Sequence, residues 1–228
     1  MTTPAEPSPA DPVSDTAPDT APDDEARARA GRALRDLGHT LIGNNAPPEV
    51  IDAVADQLEA LVATLDTGKV RSRAQHHHRG DWGEAPGDGE TMTSYADRPV
   101  SGRSSPLGLD MTITRHGDEV VANFTLRAAH EGAPGRSHGG VVAAMFDDIY
   151  GFVLEIHRQP AFTGWLTTHY LAPTPIGEPL EARVRLSERN GRKLTMSGEL
   201  TNLVTGETLA RSEALFIAID VSYFVGES

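Results

Sequence analysis

The chain has 228 residues, no cysteine and a formal net charge of -13. That length suits one domain of about 100 to 150 residues with appendages, and the absence of cysteine excludes disulfides, thiolate catalysis and cysteine-ligated metal. Seven acids and no Lys or Arg fall within residues 1 to 26, so about half of the charge excess lies in the tail, and neither part is basic enough for a nucleic-acid or anionic-membrane surface.

Residues 1 to 24 are dominated by Pro, Ala, Asp, Ser and Thr and are expected to be a disordered acidic tail, because this composition cannot offset its ordering entropy. A basic-then-apolar leader and an apolar run of about 20 residues are both missing, which leads us to expect a soluble cytoplasmic protein. An Ala/Arg/Leu-rich run from Glu25 to Leu41 predicts a helix that ends at Gly43-Asn44-Asn45. A second starts near Pro47-Pro48 and carries Val50, Val54, Leu58, Leu61 and Leu65 on one face, as helical spacing requires. That face is expected to cover the main domain or a partner subunit, and the helical extension spans 25 to 66.

Residues 67 to 106 show little periodicity and read as a long surface loop, with the linker proper at 67 to 99 and the main domain at 100 to 224. The loop contains His76-His77-His78, but without a carboxylate pattern at fixed spacing we expect no metal site. Alternation at Met111 to Thr114 and Val120 to Leu126, around His116-Gly117-Asp118, predicts a hairpin. An apolar helix follows from about Gly139 to His157, then strands at 163 to 171, 180 to 186, 194 to 200 and 207 to 221. Turns at Pro173 to Gly177, Asn190-Gly191 and Thr205-Gly206 separate them. Two strands, one enclosed helix and four strands suggest an α+β domain in which a curved antiparallel sheet wraps one central helix.

The helix carries the chemistry. Asp147 and Asp148 interrupt an otherwise apolar run, and neither propensity nor core packing selects an acid there. At the other end, Gly139 and Gly140 leave the first N–H groups of the helix open to approach, a candidate oxyanion hole at the positive end of the dipole. Gly139 and Asp147 are eight residues apart, roughly 12 Å along the axis. If both act on one substrate atom, they come from two antiparallel copies of the helix across a twofold axis, so the pairing predicts a homodimer with composite sites. Adjacent residues point about 100° apart. We take Asp147 as the chemical group and Asp148 as an interface or support group; pairing of both acids with Arg across a subunit interface is the alternative.

His138-Gly139-Gly140 followed by Asp147 resembles the signature of hotdog-fold thioesterases of the phenylacetic acid degradation (PaaI) type. The flanking Ser105-Pro106-Leu107-Gly108, Ala133-Pro134-Gly135, Thr163 to Pro175 and Gly191-Arg192-Lys193-Leu194 extend the resemblance over about residues 100 to 222. It implies that Asp147 attacks the thioester or activates water, that the Gly139 N–H binds the oxyanion, and that Thr163 orients the water or carboxylate. His138 would polarise the carbonyl or fix the loop, with helix capping and packing of equal weight. Gly140, Arg192 and Lys193 are the expected substrate contacts, the last two toward coenzyme A phosphates. Met145, Phe146 and Tyr150 line an acyl tunnel or simply fill the core. An Asn that the family often places before His-Gly-Gly is replaced here by His130-Glu131-Gly132-Ala133.

The implied activity is hydrolysis of an acyl-coenzyme A to a carboxylic acid and free coenzyme A, without metal or other cofactor, in a homodimer or a dimer of dimers (homotetramer). A non-catalytic acyl-coenzyme A sensor and a hotdog dehydratase or hydratase are the alternatives.

Overall fold

The computed structural model describes residues 22–69 and 84–220. The acidic tail up to residue 21 and His76-His77-His78 lie outside the described residues. Helices α1 (Pro22–Gly43) and α2 (Pro48–Leu65) form near the expected runs, though α1 takes in the last three residues of the expected tail, with Asp23, Asp24 and Glu25 in its first turn; Pro48 sits in the first turn of α2, where its missing N–H costs nothing. The domain then runs β1 (Thr112–His116), β2 (Glu119–Thr125), a small hairpin of β3 (Glu131–Ala133) and β4 (Arg136–Ser137), α3 (Gly139–Ile156), β5 (Ala161–Tyr170), β6 (Pro179–Asn190), β7 (Lys193–Asn202) and β8 (Thr208–Ala218). Apart from the hairpin, the strands form one antiparallel sheet in the order β1-β2-β6-β7-β8-β5. The hairpin of β3 and β4 was missed by the alternation pattern because its strands are too short to show a period, as was the 3-10 turn at Ala128–His130 before it.

Alternation decides which face of the sheet meets α3. Val120, Ala122 and Phe124 of β2, Leu180, Ala182 and Val184 of β6, Leu194, Met196 and Leu200 of β7, and Ala214 and Phe216 of β8 are buried, as period-two pleating requires. Against them α3 buries Val142, Met145, Phe146, Ile149, Tyr150, Phe152 and Val153. Phe146 and Tyr150 are fully enclosed, stack with centroids 6.2 Å apart, and serve as core rather than as tunnel walls. Each such side chain contributes roughly 1.5–3 kcal/mol by leaving water. The helix is not enclosed all round: Gly140, Ala144 and Asp147, at i, i+4 and i+7, form an exposed stripe.

Two expectations need correction. The face of α2 does not cover its own domain, since no α2 residue is buried and Ile51, Leu61, Val62 and Leu65 are 41 to 78 % exposed. The helix that docks is α1. Its Arg35 donates to the Arg103 and Ser105 carbonyls at 3.0 and 2.7 Å and pairs with Asp110 at 2.7 Å, while its His39 accepts from the Ala129 N–H at 3.1 Å.

The stretch before β1 is also more than a surface loop. Met92 and Leu109 sit in the core, and Thr91 bridges to Thr114 beside β1. This segment sends Arg98 onto α3, as described below. A chain that buries isolated residues between turns has no period to detect.

At β5 the ladder slips. Thr163 faces Phe216 and Trp165 faces Leu215, which leaves Gly164 as an extra residue, the mark of a β-bulge.

Candidate active site

Helix α3 and edge strand β5 place the reactive groups. Asp147 lies on the exposed stripe of the helix, and Thr163, near the start of β5, donates its hydroxyl proton to Asp147 Oδ1 at 2.9 Å. A carboxylate held by one hydroxyl keeps the lone pairs of its other oxygen for water or for an electrophilic carbon. The two residues expected to work together are thus in contact.

Asp148 has a different environment. It is 8 % exposed, and Arg98 reaches it from the preceding segment: Nε lies 3.3 Å from Oδ1, and Nη2 donates to the Asp148 carbonyl. The same guanidinium lies 3.6 Å from Glu155, donates to Ser94 Oγ at 3.2 Å and stacks 4.5 Å from the Phe152 ring centroid. Burial holds the Glu155 carboxyl above its ordinary range, against the opposing pull of Ser94 and Arg98. Asp148 is therefore a support group paired within its own chain, which corrects the alternative in which both acids meet Arg across an interface. Gly151 makes room for this cluster, because a Cβ there would come within 2.4 Å of Arg98 Nη2.

At the N-terminus of α3, His138 is the cap. Its Nδ1 accepts the Gly140 N–H at 3.0 Å, so a neutral ring carries its proton on the exposed Nε2. This satisfies the capping role and occupies the Gly140 N–H. The Gly139 N–H has no acceptor among the described residues and remains available to an oxyanion. Tyr170, at the far end of β5, donates to the Gly139 carbonyl at 2.7 Å, and its ring lies about where a Gly139 Cβ would meet it, at 3.1 Å. A cleft of about 380 Å³ opens here, lined by Arg136, Ser137, Gly139, Val142, Tyr170 and Leu171 among others. Asp147 does not line it. Thr163 and Tyr170 are seven residues apart, roughly 20 Å of strand, so Asp147 and the Gly139 N–H sit at opposite ends of one protomer's candidate site surface.

Behind the cap, the His138 N–H donates to the His130 carbonyl at 2.9 Å. His130 is buried, accepts the Arg127 N–H at 3.0 Å on Nδ1, and meets His39 of α1 edge to face at 4.6 Å. Burial, with help from His39 and Arg127, pushes the His130 pKa down to about 4; burial likewise lowers that of His39. This is the segment in which the family Asn is replaced.

Arg192 and Lys193 occupy the turn between β6 and β7. Arg192 Nε donates to the Ala218 carbonyl at 2.9 Å, and the residue lines a second cleft with Gln159, Phe162 and Arg189. Lys193 faces Ile217, which faces Phe162. Both cations therefore lie at the Asp147 end of the sheet, roughly two strand spacings or 10 Å from β5. Tyr170, Arg136, Arg98 and the His39–His130 pair were not anticipated; only Tyr170, which closes an alternating run, left a trace in the sequence.

Among the described residues no group of three or more His, Asp or Glu is placed to hold a metal, and no helix is long and apolar enough to cross a membrane. Residues 135–208 match the family model described as Thioesterase superfamily. The acyl-coenzyme A thioesterase THEM4 of Bos taurus is 26% identical over 58% of this chain and 55% of its own length, so the chain spans about half of that relative. The crystal structure of a thioesterase superfamily protein superposes with a TM-score of 0.66 at 26% identity, over 84% of this chain and 95% of that one, an overlap longer than the domain alone. A hypothetical thioesterase of Streptococcus pneumoniae, crystallised with coenzyme A, is 18% identical over 48% of this chain and 86% of that one, with a TM-score of 0.46. Sequence match and fold agree: the domain from Thr112 to Ala218 has the hotdog fold, and its residues 135–208 are similar to the thioesterase superfamily.

Proposed function

We propose that the chain hydrolyses an acyl-coenzyme A thioester in a homodimer with composite sites. The observation that carries this reading is the division of labour along β5. An acid steadied by a hydroxyl, Asp147 with Thr163, stands at one end, and an unengaged N–H donor with a cleft, at Gly139, stands at the other. Antiparallel apposition of two α3 helices brings the acid of one chain to the donor of the second. Two features support that apposition. The stripe of Gly140, Ala144 and Asp147 lets a second helix approach closely, and β5 is a sheet edge carrying half-exposed Phe162, Trp165 and Tyr170, a surface that favours pairing with another strand.

In the proposed reaction the thioester carbonyl oxygen accepts the Gly139 N–H. Asp147 either attacks the carbonyl carbon or removes a proton from the attacking water. The C–S bond breaks; in the first route water then hydrolyses the mixed anhydride formed on Asp147 and restores the carboxylate, and in both routes the proton released by water ends on the departing thiolate. Negative charge gathers on the carbonyl oxygen in the transition state, so a fixed donor there is worth most. Arg192 and Lys193, at the Asp147 end, are positioned to meet carrier phosphates. The CoA-binding half of the reading draws on the activity named for the THEM4 relative.

Purified protein is expected to release free thiol from at least one member of a panel of acyl-coenzyme A esters. Asp147→Asn should lose about 100-fold or more in kcat, the scale of general acid–base catalysis, while melting at the wild-type temperature. A panel with no thiol release, or an Asp147→Asn variant of undiminished kcat, refutes the proposal.

A further inference from the structure

The cleft at the Gly139 end has an ionic character that the proposed chemistry does not use. Of its lining residues only Arg136 is charged. Its guanidinium has no carboxylate partner and no hydrogen bond among the described residues, whereas Arg35, Arg98, Arg127, Arg183, Arg185 and Arg211 all pair with acids. The nearest sequence acid, Glu131, is engaged elsewhere, with its Oε1 taken by the Gly135 N–H.

The backbone beneath Arg136 is fixed. It pairs with Ala133 on one side and bridges to Pro175 on the other, and the Ser137 N–H donates to the Thr174 carbonyl at 2.8 Å. Arg136 lies three positions before Gly139, a span of at most about 10 Å of extended chain. A fixed backbone leaves only the side chain to be ordered on binding, and a guanidinium matches the planar two-oxygen face of a phosphate or carboxylate.

Resting on the thioesterase reading, we propose that Arg136 forms an anion subsite of this cleft, holding a negatively charged group of the substrate near the carbonyl that docks on Gly139. The anion is either a phosphate of the carrier or a carboxylate at the end of the acyl chain. The two share chemistry and are separable by substrate. Arg136 contacts the substrate away from the reacting atoms, so its loss should appear in KM rather than kcat.

The test measures kcat and KM of wild type, Arg136→Gln and Arg136→Lys on three thioesters: a neutral acyl-coenzyme A, the same acyl group on pantetheine, and an acyl-coenzyme A ending in a carboxylate. Arg136→Gln should raise KM about tenfold on the substrates that carry the anion, with kcat within about twofold, and Lys should recover part of the loss. A rise on both coenzyme A esters that spares the pantetheine ester identifies the carrier phosphate. A rise confined to the carboxylate-ended ester identifies the acyl carboxylate. An unchanged KM throughout, or an equal rise on neutral acyl-pantetheine, overturns the subsite. Where wild type hydrolyses none of the three, the thioesterase reading fails instead. Calorimetric titration of free coenzyme A and of the intact carboxylate-ended ester then decides the subsite, which requires that at least one bind Arg136→Gln about tenfold more weakly.

Discussion

Replacing Gly151 by Ala should change sign with its surroundings. In a free helix the change is favourable by about 0.5–1 kcal/mol, because Gly is a poor interior residue. Here the new Cβ would stand 2.4 Å from Arg98 Nη2 and 3.2 Å from its Cζ, so the guanidinium must shift from its seat. The shift pulls it from Asp148, 8 % exposed, and from Glu155, with which it pairs at 3.3 and 3.6 Å; Asp148 Oδ2 already lacks a partner among the described residues. Breaking a buried pair in this way costs about 3–5 kcal/mol, to which the lost contact with Phe152 adds. Set against the helix gain, the net is a destabilisation of about 2–4 kcal/mol, or roughly 4–16 °C in Tm at 2–4 °C per kcal/mol. In an Arg98→Ala background the obstacle is absent, so Gly151→Ala should stabilise by about 0.5–1 kcal/mol. Urea unfolding of the four proteins in this cycle measures both effects and their coupling. A Gly151→Ala variant that is stabilised in the wild-type background, or that shifts equally in both, would refute the assignment of Gly151 as the seat of Arg98.

The buried histidines set a pH window. The folded pKa of His130 is depressed, to about 4, and that of His39 is lowered too, so the unfolded chain takes up protons first as pH falls below about 6.5. Stability should be full above that value and decline progressively toward pH 4; urea midpoints across this range should fall with pH, and His130→Asn, which keeps an acceptor for the Arg127 N–H, should flatten part of the decline. An unchanged slope in that variant would contradict the assignment. Tyr170→Phe removes the hydroxyl that fixes the Gly139 carbonyl and should lower kcat about two- to tenfold with KM little changed, as expected for a hydrogen bond worth roughly 0.5–1.5 kcal/mol that acts through the oxyanion donor. A purely structural tyrosine would instead lower the melting temperature and leave kcat intact.

The domain was legible where residues repeat. Period-two runs marked β1, β2 and β6 to β8, and the glycine turns between them were readable, with Gly117, Gly191 and Gly206 at positive φ as tight reversals demand. Asp147 and Thr163 were identifiable by motif, and the fold puts them in hydrogen-bond contact. What stayed hidden depends on single long-range contacts. Nothing near Arg98 in sequence announces a partner fifty residues away at Asp148, and Arg35 of α1 reaches Asp110 over seventy-five. The fate of α2 was also unreadable: its apolar face is plain in the sequence, but periodicity states only that a face exists and not what meets it. Gly140 illustrates a third limit, since which of two neighbouring N–H groups a cap consumes depends on the rotamer of His138.

The extra residue at Gly164 has a consequence for parity. Successive strand residues alternate between faces, so Thr163 and Tyr170, an odd seven apart, would point to opposite sides of a regular strand. Their partners on β8, Phe216 and Ala210, are an even six apart and share a side. The bulge absorbs the odd count, and both hydroxyls turn toward α3, one to Asp147 and one to Gly139. A chain of this design can lengthen or shorten β5 between its two hydroxyls only in steps of two, or by gaining or losing a bulge; any other change would unhook one end of the helix from the strand.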